Sequence, residues 1–277
     1  MKTLSNLKKD IEFNQGHASL IEALKNIAVA QFKIHEQKLK SFEKFILMAE
    51  DFFALIVINN INHPFLNPRK GILAVVAVTS DSGLLGGLNL KVINQALAEL
   101  EKAPGKLIVI GECGKNYLRE TKVSFVSFGG VNDEARYVQA MQLRDYCLDK
   151  VLEGAFGSLK IVYPHPVSFT VQRVETVTIL PFTSTRKVNV SRGDLILESS
   201  PADIAQYLIS VWIGQKFYDI FGLSRLSEFA ARFVHLEESS QKLKDIEKNL
   251  KLQYFRVRHE VIDRNMRELF SARLLYA

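Results

Sequence analysis

The sequence predicts an α/β protein in which N- and C-terminal helices form a long antiparallel coiled coil and a central α/β domain carries a largely parallel sheet. Three observations lead to that class. All seven prolines lie between Pro64 and Pro201, so both flanks are free of them. Apolar residues recur every seven positions in those flanks. Between the flanks, short β-branched runs alternate with helix-length segments, the pattern of a sheet with crossover helices.

The first flank, residues 1–60, holds one glycine, Gly16. Proline costs a helix interior ~3 kcal/mol and glycine ~1 kcal/mol, so this composition permits one long helix. Leu4, Ile11, Ala18, Phe32, Leu39 and Ile46 stand on one heptad line, interrupted by Lys25. Leu7, Ile21, Ala28 and Phe42 stand on the line beside it. Such spacing is the seam of a coiled coil.

The central part, residues 61–201, opens with the strand ILAVVAVTS, followed by the helix LNLKVINQALAELEK. KLIVIG is a strand, NYLRE a short helix, VSFVSF a strand and DEARYVQAMQLRDYCLDKVLE a helix. LKIVYPHPVSFTVQRVETVTILPF reads as a hairpin, and TSTRKVNVSRGDLILESS as a polar connector.

The last flank, residues 202–277, contains only Gly214 and Gly222. Phe229, Leu236, Leu243, Leu250 and Val257 form its heptad line, while Ser240 and Glu247 take apolar slots on the neighbouring one. At 1.5 Å per residue the two helices would run ~85 Å and ~105 Å. A compact middle domain spans only ~30–40 Å. Helices from opposite chain ends anchored on one domain pair most simply antiparallel, and the last one outreaches the first to end as a lone tip, FSARLLYA.

Composition narrows the function. A net charge of +6 is scattered among 30 acidic residues, which does not favour nucleic-acid binding. Cys113 and Cys147 are the only cysteines, too few for a disulfide framework and badly spaced for zinc. The opening MKTLSNLKKDIEFNQG lacks the apolar stretch of a signal peptide, and no apolar run reaches the ~18 residues of a membrane span.

SDSGLLGGLN, directly after the first strand, poses the main chemical question. Glycine-rich turns at helix starts can hold phosphate. GxxxxGK[ST] needs a lysine and a hydroxyl that GLLGGLN lacks, and Gly83, Gly86 and Gly87 do not fit GxGxxG. A structural turn is the plainer reading. Asp81 could be a catalytic carboxylate or a cap for the following loop. Cys113 has no histidine or aspartate helper nearby, and the six histidines are dispersed. The residues alone leave open a stand-alone α/β nucleotide- or ligand-binding enzyme with oligomerising helical arms, and an unrelated coiled-coil adaptor.

Taken together, these segments resemble a known family. SDSGLLGGLN is similar to the signature of the gamma subunit of F-type ATP synthases, (S/T)-D-x-G-L-C-G-G-x-N. IEFNQGHASLIEALKNIAVAQFK resembles that family's first helix, with Ile11, Ala23, Leu24, Ile27, Ala28 and Lys33 in step. SEFAARFVHL resembles S-E-x-A-A-R-M-x-A-M. In YFRVRHEVIDRNMRELFSA, the residues Tyr254, Arg256, Arg258, Ile262, Met266 and Glu268 keep the family's register. HPFL at 63, LKIVY at 159 and ILPF at 179 follow in the family's order.

The resemblance implies a rotor shaft coupling ion flow through a membrane c-ring to ATP synthesis or hydrolysis. Its partners would be the alpha and beta subunits of the head, the epsilon subunit and the c-ring. It implies a chain without catalytic, cofactor or metal sites of its own, lying peripherally on the cytoplasmic side of a bacterial inner membrane. Leu24, Arg232, Arg258, His259, Asp263 and Asn265 would face the stator, Glu198 the c-ring and epsilon base, and Gly83, Gly86 and Gly87 would shape a turn. Departures from the pattern include Ser82, Leu85, Glu22, Gln31, His259, Asp263, Asn265 and the run Leu236 to Ser239. They imply rewired stator contacts, as in a divergent, alternative bacterial enzyme.

Overall fold

A computed structural model describes residues 3–39, 63–66, 71–121, 123–182 and 199–275. The chain forms two compact units, one of Met1–Val29 with Phe233–Ala277 and the other of Ala30–Arg232. The described elements are helix α1 (Leu4–Leu39), strand β1 (Ile72–Val78), helix α2 (Leu88–Lys102), strand β2 (Gly105–Ile110), helix α3 (Glu112–Arg119), strand β3 (Phe125–Phe128), helix α4 (Arg136–Leu152), strands β4 (Phe156–Pro166) and β5 (Gln172–Leu180), and helix α5 (Pro201–Leu275).

The larger unit is built on a five-stranded sheet of order β3-β2-β1-β4-β5. β1 runs parallel to both β2 and β4, β2 parallel to β3, and β5 antiparallel to β4. β1 sits at the centre and is buried on both faces, which is why it reads as an unbroken apolar run. Alternation divides its side chains. Ala74, Val76 and Val78 join a cluster containing Ile108, Ile161, Leu143, Cys147 and, from α5, Ile213, Phe217 and Phe221. Leu73, Val75 and Ala77 face the other way, onto Val92, Ile93 and Ala96 of α2. The predicted hairpin is present, its turn closed by hydrogen bonds between Val167 and Val171 and by the Ser168 hydroxyl accepting from the Val171 N–H at 3.1 Å.

Two helices start elsewhere than predicted, each for a local polar reason. α3 begins at Glu112, four residues before NYLRE, because the Asp81 carboxylate accepts the Glu112 N–H at 2.9 Å and caps it. α4 begins at Arg136, not Asp133, because Asn132 folds a turn by accepting the Glu134 N–H at 2.9 Å.

In the smaller unit α1 and the end of α5 pair antiparallel. Asn14 bonds to the Leu243 carbonyl at 3.1 Å, Gln15 to Glu247 at 2.9 Å and Lys25 to Glu237 at 2.8 Å, so partner numbers fall as α1 advances. Leu7, Ala28 and Leu236 are buried, and Leu243, Leu250 and Val257 half-buried. Two of the polar interruptions of the heptad lines, Lys25 and Glu247, are partnered across the seam. Lys25 is clasped by Glu22 and Glu237, both at 2.8 Å, and Asn14 and Ser240 are buried. A polar residue in such a seam accepts partners at one register only, which fixes alignment at a cost in stability. Met266, Leu269 and Phe270 near the end of α5 are exposed, at 48%, 67% and 61%.

Candidate functional site

In the sheet, the connections from β1 leave toward β2 on one side and, later in the chain, β4 lies on the other. The crevice beyond the strand ends at such a reversal is where open α/β sheets bind ligands. Here SDSGLLGGLN borders that crevice, and α5 fills it. Ser227 donates to the Pro164 carbonyl at 2.9 Å, and Leu85 and Leu88 of the glycine loop pack on Ala231. What remains is a cavity of about 30 Å³ between Thr79, Ser80, Asn89, Ser224 and Glu228. That is room for one water; a nucleotide site needs ~300 Å³ or more. The Ser224 hydroxyl on its wall is buried and has no protein partner.

The loop's polar groups are consumed internally. The Ser80 N–H donates to Asn89 Oδ1 at 3.1 Å, and Asn89 returns a bond to the Ser80 hydroxyl at 2.8 Å. Gly86 and Gly87 have φ of 57° and 86°, the left-handed region, and Gly87 leads into α2. Leu84 shares that region with φ 66° although it carries a side chain. Gly83 has open space where a Cβ would lie. Asp81, a candidate acid from sequence, is spent on capping α3, and a Cβ on Gly130 would come within 2.1 Å of its carboxylate. Burial pushes the Cys113 thiol up and the Cys147 thiol up to about 12, so neither is poised as a thiolate.

A charged chain runs along α5 instead. Buried Glu228 accepts Arg225 Nη1 and Arg232 Nη2, each at 2.6 Å. Arg225 turns its Nε and Nη2 onto Asp133 at 3.2 and 3.1 Å, and His35 Nε2 lies 3.3 Å from the same carboxylate. Both guanidiniums flank the Phe229 ring. Burial works to raise the Asp133 carboxyl, yet the hydrogen bond and charge of Arg225 hold it below its ordinary value.

The residues singled out from sequence are dispersed. Arg232 belongs to the larger unit with its side chain 15% exposed and engaged by Glu228. Arg258, His259, Asp263 and Asn265 are exposed on the last stretch of α5, and Leu24 is half-buried on α1. Glu198 lies outside the described residues. Sequence reasoning missed His35, Asp133, Arg225 and Glu228. The spacing Arg225, Glu228, Arg232 is that of helical ion pairs and could have been read; the link to Asp133, 92 residues from Arg225, could not. Among the described residues there is no His/Cys/Asp/Glu cluster able to hold a metal, and no helix long and apolar enough to cross a membrane.

Asp219, on the α5 face of the larger unit, gives a separate stability test. Its Oδ1 accepts from Gln215 at 3.0 Å while its Oδ2 is buried without a partner, and burial pushes the carboxyl from 3.8 up to about 6. A carboxyl raised in the folded state loses stability as pH climbs from the unfolded value through the folded one, and the penalty is full above about 6. Asp219→Asn is therefore expected to stabilise the chain by ~1–2 kcal/mol at pH 7.5 and much less at pH 4.5, read from urea melts at the two pH values.

Comparison with known proteins agrees with this architecture. The family described as ATP synthase matches residues 3–273. The ATP synthase gamma chain of Clostridium beijerinckii is 27% identical over 197 residues, 70% of this chain and 69% of that one. The gamma chain of Pelotomaculum thermopropionicum is 23% identical over 97% of both. Among solved structures, a chain of the Euglena gracilis mitochondrial ATP synthase F1/c-ring assembly superimposes with a TM-score of 0.70 at 15% identity, covering 98% of this chain and 94% of that one. A chain of the Tetrahymena thermophila central stalk and c-ring gives 0.59 at 20% identity, covering 80% and 99%. With a family match across nearly its whole length and gamma chains as its relatives, the chain belongs to the ATP synthase gamma-chain family.

Proposed function

We propose that this chain is the central rotor shaft of an F-type ATP synthase, coupling ion flow through a membrane c-ring to ATP synthesis or hydrolysis in a head of alpha and beta subunits. The observation that carries the reading is the antiparallel pairing of the first and last helices, followed by an exposed apolar end of α5. A ligand or subunit shifts its neighbour's equilibrium only through contacts that differ between states. A stiff rod with unlike faces offers such differing contacts to three equivalent neighbours as it turns.

The working division is a helix over residues 1–60, a central α/β domain and connector over 61–201, and a helix over 202–277. Leu24, Arg232, Arg258, His259, Asp263 and Asn265 face the stator in this reading, Glu198 meets the c-ring and epsilon, and Gly83, Gly86 and Gly87 shape the turn that seats α5. The chain is a peripheral part of a membrane-bound complex, on the cytoplasmic side of a bacterial inner membrane. Its departures at Glu22, His259, Asp263 and Asn265 belong to a divergent form with compensating changes in its partners. A beta subunit that keeps the family's usual residues facing the rotor and binds this chain tightly would contradict that last point.

Reconstitution decides the main reading. The isolated chain is expected to give no heat with ATP in titration calorimetry and no hydrolysis, and alpha and beta subunits are expected to become coupled only when it is added. ATP binding by the chain alone would sink the proposal. Arg232→Ala or Arg258→Ala is expected to lower coupled turnover about fivefold, equivalent to ~1 kcal/mol. Melting should stay at the parent's value for exposed Arg258 and fall by less than that loss for Arg232, which leaves buried Glu228 its second cation, Arg225. Equal losses in turnover and stability would mark these arginines as structural only.

A further inference from the structure

On the stretch of α1 within the larger unit, Phe32 and His35 are the buried side chains among residues 30–38. Phe32 makes the apolar attachment, edge-on to Phe169 at 4.7 Å and clustered with Leu226, Phe229 and Ala230. His35 makes the polar one. Its ring lies 5.0 Å from that of Phe229, its Nε2 is 3.3 Å from Asp133 Oδ2, and its Nδ1 is buried without a partner. Half of this attachment therefore depends on one imidazole.

The surroundings favour its neutral form. Asp133, just before α4, is the one anion facing the ring among the described residues, and both its oxygens already accept from Arg225. Arg225 of α5, Arg136 of α4 and Lys38 of α1 itself are the cations facing it. A neutral ring can donate Nε2–H to Asp133 and leave Nδ1 as an acceptor. An imidazolium would add a fourth positive charge and place an Nδ1–H where the described residues offer no acceptor, and leaving such a buried donor unmet is costly. Burial first, and then the three cations, lower the proton affinity of the ring against the pull of Asp133.

We propose that His35, Asp133 and Arg225 form a proton-sensitive latch: the neutral imidazole fastens α1 to the sheet-bearing body, and protonation releases that stretch of helix. The sign follows from linkage. The released helix has the higher proton affinity, so attachment is full above the ordinary imidazole value of about 6.5 and weakens as pH falls below it. The latch is independent of the rotor reading, since it concerns the folded chain alone.

The test is NMR titration of the histidine rings in the full chain, combined with hydrogen exchange of the Phe32–Lys38 amides corrected for intrinsic rates. His35 is expected to titrate below about 6.5. Exchange of those amides is expected to rise on the order of tenfold between pH 7.5 and 5.5. His35→Gln keeps a donor for Asp133 that cannot titrate, and should abolish the pH-dependent rise. Should that variant not fold, Asp133→Asn removes the anion facing the ring and should move both the titration and the exchange step to lower pH. Titration of His35 at or above 6.5, an exchange rise unchanged in His35→Gln, or no downward move in Asp133→Asn would overturn the latch.

Discussion

Leu250→Pro is expected to abolish ion-coupled ATP synthesis by the assembled complex, a loss of at least ~100-fold, while the sheet-bearing unit remains folded. Leu250 is half-buried on the seam line of α5, seven residues beyond Leu243, whose carbonyl takes the Asn14 amide. A proline there removes an i to i−4 hydrogen bond and pushes its ring into the preceding turn, costing ~3 kcal/mol or more and kinking the helix. Torque requires the helix to stay one rod, so the kink disconnects the two ends although both persist. The measurement is ATP synthesis in energised vesicles, normalised to the amount of complex assembled. Leu250→Ala is the control; it trims a half-buried side chain without breaking the backbone and should keep most of the coupling. Undiminished synthesis with the proline in place would end the shaft reading.

Gly111→Ala is expected to destabilise the larger unit by ~3 kcal/mol or more. Gly111 joins β2 to α3 with φ 98° and ψ 144°, a conformation nearly confined to glycine. A Cβ there would also stand 2.5 Å from the Thr79 carbonyl oxygen and 2.9 Å from that of Ser80, both backbone atoms at the end of β1 that cannot swing aside. In a unit of this size each kcal/mol lowers the melting temperature by ~2–4 °C, so a fall of roughly 10 °C should appear in calorimetry. Gly16→Ala provides the contrast. Gly16 lies mid-helix in α1 with open space around it, and alanine should stabilise by up to ~1 kcal/mol. A Gly111 variant as stable as the parent would mean the β1 end and α3 can part freely, contrary to the packed crevice.

Legibility tracked the range of the responsible interaction. The strands were readable because β1 is buried on both sides and β4 and β5 carry long β-branched runs. The long helices, α5 and α1 as far as Leu39, were readable because proline and glycine are scarce there and apolar residues keep step every seven positions; the rest of the expected first helix, with Phe42 and Ile46, lies outside the described residues. The start of α3 was not readable, since its cap, Asp81, comes from 31 residues away. Lys25 and Glu247 looked like faults in the coiled-coil lines, and became understandable only with Glu237 and Gln15 opposite them. Arg232 was singled out from its motif, and its i,i+4 pairing with Glu228 at 2.6 Å follows from helical spacing; the extension of that chain through Arg225 to Asp133, 92 residues away, emerged only from the fold.

The glycine loop shows the same division within ten residues. Its failure to match a phosphate-binding spacing was plain from the letters. That Asn89 and Ser80 lock onto each other, and that Leu85 and Leu88 serve as a seat for Ala231 of the last helix, required the path of the chain.

By itself the sequence determined which stretches are helix or strand and which faces are apolar, because backbone propensity and side-chain periodicity act within a few residues. The tertiary structure alone decided which polar groups meet, as with Asn14 and Leu243, 229 residues apart, or His35 and Asp133. Such pairs leave no periodic trace, since a hydrogen bond depends on distance and direction in space, and those are set only when the two ends of the chain come together.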